Sequence, residues 1–362
     1  MEFSNKRQGF LIITIVILTV LISFPVAADI GGEARVISNL SYYNSELNNN
    51  LAAELELQWY LPYDFPLNIQ NRAVISLREG REDKFDLWFK KLYLEKELGP
   101  LTATIGRQPI SWSYGALINP VDYTLGAENL EQESRAKYVD GIELYYPINW
   151  GSGLAFDVSN LENQKEHKWA LRGRTTFRGY DLTASYVRTP VSASTDFERY
   201  GMTAKGDLGP VGVYGAYSLW QNSEIDYDIY QIGTDYSYHF LAGSQLYLQG
   251  EYLRLEGVKG DIASFDFFNP GAAVDPGSTS TLENNLDFFN TNISYDIDEF
   301  SSIGIMAVSY LDDGSTIFIP NYSYLFGSNL KLELRGSISA GAEEEMLGGD
   351  AKGLEMTLSY TF

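Results

Sequence analysis

The side chains that could do chemistry in this chain are charged groups spaced at strand periodicity. Arg172, Arg174 and Arg178 share one parity, as do Arg72 with Arg78, Arg199 with Lys205, and Lys331 with Arg335. The acids Glu54, Glu56, Glu143, Asp157, Asp235, Glu251, Glu333 and Glu355 fall on comparable positions. Alternate residues of an extended strand point to one face, so each set would form a charged column. Columns of this kind select ions when they line a pore. Two readings stand side by side. The basic group could be an attractive rail for anions, or the charges could pair with one another and brace a wall.

Catalytic and metal chemistry have little material. The chain has no cysteine, which removes disulfides, thiolate zinc sites and cysteine nucleophiles. Its two histidines are His167 and His239. His239 falls on lipid-side parity at a tight turn, and no motif ties His167 to Ser192 or Ser194 in the next loop. No enzyme, metal or cofactor is expected. Asp and Glu outnumber Lys and Arg by 48 to 26, a formal charge of −22, which argues against a nucleic-acid partner because phosphate binding needs a basic face.

The elements that would carry these columns are strands. Leu51, Ala53, Leu55, Leu57 and Trp59 alternate with Ala52, Glu54, Glu56, Gln58 and Tyr60. Leu354, Met356, Leu358, Tyr360 and Phe362 alternate with Glu355, Thr357, Ser359 and Thr361. A tilted strand needs about 9 to 11 residues to cross a membrane, and most of the alternating segments reach that length. The pattern predicts eighteen of them, or sixteen or fourteen if pairs are misread. Links after even strands are tight, including Leu98-Gly99-Pro100 and Leu208-Gly209-Pro210, and links after odd strands are longer, above all 108–138 and 257–282. Lipid offers no hydrogen bonds, so a membrane-crossing sheet must close on itself; short turns on one rim and longer loops on the other fit such a barrel. The consecutive Lys90 and Lys91 break parity and predict a β-bulge. At the N-terminus, Lys6 and Arg7, an apolar run from Phe10 to Ile22 and Pro25-Val26-Ala27-Ala28 predict a signal peptide over residues 1–28.

On this pattern the mature chain, 29–362, resembles bacterial outer-membrane β-barrels of the porin type. The terminal Leu358-Ser359-Tyr360-Thr361-Phe362 is similar to the signal such barrels present to their assembly machinery. Ile105-Gly106-Arg107-Gln108-Pro109-Ile110-Ser111-Trp112, followed by Asn119-Pro120-Val121-Asp122, resembles an element of large channel families that include alginate-export-like barrels. The resemblance implies an all-β, up-and-down transmembrane barrel in the bacterial outer membrane. It would pass ions and small hydrophilic solutes, with lipid as its surroundings and a homo-oligomer compatible with it. An anion- or acidic-saccharide-specific channel and a structural or adhesive barrel are the alternatives. Pore-lining positions would be Arg72, Arg78, Arg172, Arg174, Arg178, Arg199, Lys205, Glu54, Glu56, Asp235 and Glu251. Segment 108–138 would either enter the lumen as a constriction or cover the mouth. Its candidate residues are Arg107, Trp112, Asp122, Glu128, Arg135 and Lys137, with Arg107 at the headgroup level or turned inward by a bulge.

Overall fold

A computed structural model describes residues 30–43, 46–59, 67–78, 84–110, 112, 120–121, 138–159, 167–192, 195–221, 226–240, 243–259, 283–342, 345, 347–349 and 351–362. The expected signal peptide, 1–28, lies outside them. Eighteen strands follow one another: β1 (Ile30–Tyr43), β2 (Glu46–Trp59), β3 (Leu67–Arg78), β4 (Lys84–Leu98), β5 (Leu101–Pro109) and β6 (Tyr138–Asn149). Next come β7 (Ser152–Ser159), β8 (Lys168–Phe177), β9 (Tyr180–Ser192), β10 (Thr195–Leu208), β11 (Val211–Gln221) and β12 (Asp226–His239). The series ends with β13 (Gln245–Lys259), β14 (Glu283–Asp296), β15 (Ser301–Tyr310), β16 (Thr316–Phe326), β17 (Leu330–Ala340) and β18 (Lys352–Thr361). The sixteen- and fourteen-strand alternatives therefore fall away.

Each strand pairs antiparallel with its neighbours in sequence, and β18 returns to pair with β1 from Glu33↔Thr361 to Tyr42↔Lys352. The sheet has no open edge, as lipid requires. Phe362 finishes the seam: its N–H and C=O exchange hydrogen bonds of 3.0 Å with Gly32. Leu94, Ile105, Leu171, Met202, Ile232, Ile303, Leu354 and Met356 are exposed on the outer surface, where an apolar band meets acyl chains. Aromatic pairs gather at the short-turn rim, among them Tyr238–Phe240 and Tyr324–Phe326 with ring centroids 4.8 and 4.6 Å apart, and this is where amphipathic rings form a girdle.

Local chemistry sets the turns. Gly99 and Gly209 both have φ of +65° and both precede proline, the sign pattern of a type II′ hairpin turn. Arg178, expected on the pore lining, instead occupies the turn between β8 and β9 with φ +52°, followed by Gly179 at +85°. Two successive positive φ values are the type I′ pattern that matches the twist of a hairpin, so the chain reverses at Arg178 rather than one residue later. The bulge is where the lysines place it: the β3–β4 register shifts between Gln70 and Asn71 and leaves Lys90 as the extra residue. Phe89 and Leu92 thereby both reach the outer surface, while Lys90 is buried and ion-paired with Glu56.

Between β14 and β15, the Asp298 carboxylate accepts hydrogen bonds from the Phe300 and Ser301 N–H groups and the Ser301 hydroxyl at 2.8 to 2.9 Å. These donors hold its pKa below the ordinary Asp value. A depressed carboxyl stabilises the fold above its unfolded pKa, and that contribution is lost as pH falls through the folded value. Asp298→Ala is therefore expected to reduce stability at neutral pH and to leave it unchanged at strongly acidic pH, measured by urea unfolding in lipid vesicles at both. In the same assay Ile232→Lys, mid-strand on the outer surface, is expected to cost about 2–4 kcal/mol.

Candidate functional site

The lumenal wall holds one continuous register row across eight strands. Thr104, Glu143, Asp157, Ala170, Val187, Arg199, Trp220 and Tyr227 stand side by side from β5 to β12. The segment after β5 sits on this row. Ile110 and Trp112 are buried in a cluster with Ala170 and Val187, and Val139 packs against it. The Arg172 guanidinium lies over the Trp112 ring, 5.0 Å from its centroid. Arg199 donates from Nη2 to the Val121 carbonyl at 3.3 Å and stacks on Trp220 at 4.8 Å. A Cβ at Gly201 would stand 2.6 Å from Val121 Cγ1, so that glycine is what lets Val121 approach the wall. The described residues Ile110, Trp112 and Val121 of segment 108–138 thus lie against the inner wall of β8 to β10. Asp122, Glu128, Arg135 and Lys137 lie outside the described residues.

The Gly-Arg-Gln element has a local explanation. Gly106 has φ +126° and leaves no room for a Cβ beside the Leu92 carbonyl. Arg107 keeps the outward parity of Ile105, because the β5–β6 register contains no bulge, and pairs with Asp140 at 2.8 Å. Of the two placements open for Arg107, the outward one holds. Gln108 points inward, is buried, and donates to the Thr104 carbonyl at 3.5 Å.

Several described lumenal charges have a side-chain partner, and the others are placed by register. Arg35 bridges Glu33 at 2.5 Å and Glu54 at 3.9 Å, and Lys90 holds Glu56. Arg72 is the register partner of Glu56 and Arg78 that of Asn50. Arg174 reaches Asp181 at 3.2 Å yet keeps 58% of its side chain exposed. Lys205 pairs in register with Asp181 and Tyr214, and Asp235 with Gly212 and Gln249. Glu251 is buried and accepts a 2.8 Å hydrogen bond from the Tyr214 hydroxyl, which itself accepts one from Gln249 at 2.9 Å. Arg335 faces Glu355 in register, and Lys331 bonds Glu333 at 2.8 Å. His167 precedes β8 at the loop rim and His239 ends β12 at the opposite rim, so they form no pair.

One feature of the wall escaped the alternation. Inward positions of β10 to β16 toward the loop rim are apolar and buried: Phe197, Ile229, Leu253, Leu255, Leu286, Phe288, Met306 and Val308 form one cluster. Leu347, from the link between β17 and β18, joins it, and its N–H donates to the Ser315 hydroxyl at 3.0 Å. Charged groups stand on inward positions from β17 through β1 to β8, and within the apolar stretch Arg199 and Lys205 of β10, Asp235 of β12 and the buried Glu251 of β13 share the inward parity. The sequence signal was present, since β13 carries Leu246 and Leu248 on one parity and Leu253 and Leu255 on the other. Apolar residues on both faces mark a strand covered on both sides.

No protein-family model and no curated protein sequence matches the chain. Solved structures do. OpdQ of Pseudomonas aeruginosa is similar with a TM-score of 0.60 at 11% identity, over 93% of this chain and 99% of that one. OccK5 (OpdH) of the same organism gives 0.56 at 13% identity over 92% and 97%. OccAB1 of Acinetobacter baumannii gives 0.55 at 9% over 92% and 96%. At such identities the likeness is one of fold: a closed antiparallel β-barrel.

The inner apolar wall can be tested directly. Leu253→Ala is expected to cost about 2–5 kcal/mol, the range for a packed core leucine, in urea unfolding from vesicles. A cost near zero would mean that Leu253 faces water.

Proposed function

We propose that the protein is a bacterial outer-membrane channel for passive diffusion of ions and small hydrophilic solutes. The observation that carries this is the pairing of a closed eighteen-stranded wall, apolar outside, with an arc of ionised side chains inside. Barrels of sixteen to eighteen strands leave an aqueous channel, and charged groups lining such a channel set which ions pass. The segment seated on β8 to β10 would narrow the lumen beside Arg172 and Arg199, giving a size cut-off there. A signal peptide over 1–28 would bring the chain to the assembly machinery, which would read the terminal Phe362. Barrel function needs no catalytic centre, cofactor or metal.

A second reading, a channel specific for anionic solutes or acidic saccharides, is favoured by Arg172 and Arg174 standing in one lumenal column of β8. The ion pairs of Arg35, Lys90 and Lys331 weigh against an uninterrupted rail. A structural or adhesive barrel is the third reading, and it would show no conductance.

Reconstitution into planar bilayers separates them. Discrete conductance steps are expected, and their absence at every voltage would end the channel proposal. In a salt gradient, Arg174→Gln is expected to move the reversal potential toward cation preference, because this guanidinium is the exposed cation of its column. Arg178→Gln, in the turn, is expected to leave it unchanged.

A further inference from the structure

The row that seats the segment after β5 contains an unusual neighbour: two acids directly opposite each other. Glu143 on β6 and Asp157 on β7 are register partners, an arrangement in which two negative charges repel across a sheet. Asp157 is completely buried, and among the described residues no N–H or hydroxyl donor reaches either of its oxygens; the Glu143 carboxyl is the group within hydrogen-bonding reach. A buried carboxylate without partners is costly. A carboxyl group facing a carboxylate removes both the repulsion and the deficit, since one proton then serves as the donor between them. The groups that act on Asp157 are the Glu143 carboxyl and the Arg172 guanidinium of β8. Arg172 in turn feels Asp157, Glu143, Arg174 and Tyr145. Tyr93 on β4 also faces Glu143, and the β5 neighbour in the row is the neutral Thr104.

Arg172 has two surfaces to choose between. Its guanidinium now lies over Trp112, an attraction worth about 0.5–2 kcal/mol. Two ionised carboxylates would compete for it more strongly than one. We infer that Glu143 and Asp157 hold a single proton between them, and that releasing it to lumenal water draws Arg172 from Trp112 toward the carboxylates. The proton is then a selectivity switch of the lumen. With the proton bound, Glu143, Asp157 and Arg172 sum to zero charge; with it lost, they sum to −1. This rests on the channel reading above and adds to it a specificity-determining pair that the basic rail does not contain.

The test is the reversal potential of the reconstituted chain in a potassium chloride gradient, from about pH 5.5 to about pH 9. Ordinary Asp and Glu, with pKa values of about 3.9 and 4.3, are already ionised throughout that range. The wild type is expected to drift toward cation preference as pH rises. Asp157→Asn is expected to hold the wild type's acidic-end value at every pH, and so is Glu143→Gln, which carries the test if the first variant fails to assemble. Both variants keep His167 and His239, so a drift that persists in them would belong to groups outside the pair and overturn the proposal. A conducting barrel whose potential does not move with pH would overturn it as well. Trp112 emission, isolated by difference from Trp112→Phe, supplies a second readout: it should change with pH in the wild type and stay constant in Asp157→Asn. If the barrel conducts nothing, the channel reading fails, and Trp112 emission alone decides whether the proton site exists; an unchanging signal would then refute it.

Discussion

A hydrocarbon interior cannot hydrogen-bond a peptide group, and the rest of this structure follows from that fact. Every strand must find partners on both sides, so the eighteenth must meet the first. The reciprocal hydrogen bonds between Gly32 and Phe362 complete the seam at the chain's last residue. Closure also imposes the period of two, because each strand then has lipid on one side and the enclosed space on the other. Tight turns follow at one rim, where Arg178-Gly179 and the two Gly-Pro pairs supply the positive φ values that two-residue reversals need.

Within the wall, charge placement obeys a second constraint. A side chain pointing into the lumen is only partly hydrated, and an ionised group there does better beside an opposite charge than alone. Lys90 illustrates the balance. Its ammonium is almost completely buried, at a desolvation cost of several kcal/mol if it stood alone, and the Glu56 carboxylate offsets that cost. The bulge makes the pairing feasible by turning Lys90 inward without sending Phe89 or Leu92 after it. Arg35 with Glu33 and Glu54, and Arg174 with Asp181, repeat the arrangement at greater exposure. Such surface-like pairs contribute little stability each; their effect is to fix where positive and negative potential lie along the enclosed space.

The strand framework was legible in the sequence because alternation, turn chemistry and parity are all local. Lys90 and Lys91 revealed the bulge for the same reason. The inner wall was less legible. Alternation states which residues share a face but not what covers that face, so Leu253, Leu255 and Phe288 had the parity of lumen-lining residues while being packed like a core. Arg178 was misplaced by a single residue of turn length, which parity cannot resolve. The seat of the segment after β5 depends on contacts such as Trp112 with Arg172 and Val121 with Gly201, between residues 60 to 80 positions apart in the chain. No pattern within one strand encodes contacts at that separation.

These constraints combine into an asymmetric interior. Near the loop rim, the apolar cluster of β10 to β16 has withdrawn its part of the wall from water, and Leu347 closes over it. Charged groups line β17 through β1 to β8, bordered at β8 to β10 by the described parts of the segment after β5, and Lys205 and Asp235 continue them on β10 and β12 away from the apolar cluster. Where an ionised group stands beside packed apolar side chains, as Arg172 does beside Trp112, a small number of charges dominate the local field, because low-dielectric surroundings screen them poorly. A change of one unit of charge beside Arg172 therefore alters the local potential more than the same change would on an evenly wetted wall, where water would screen it.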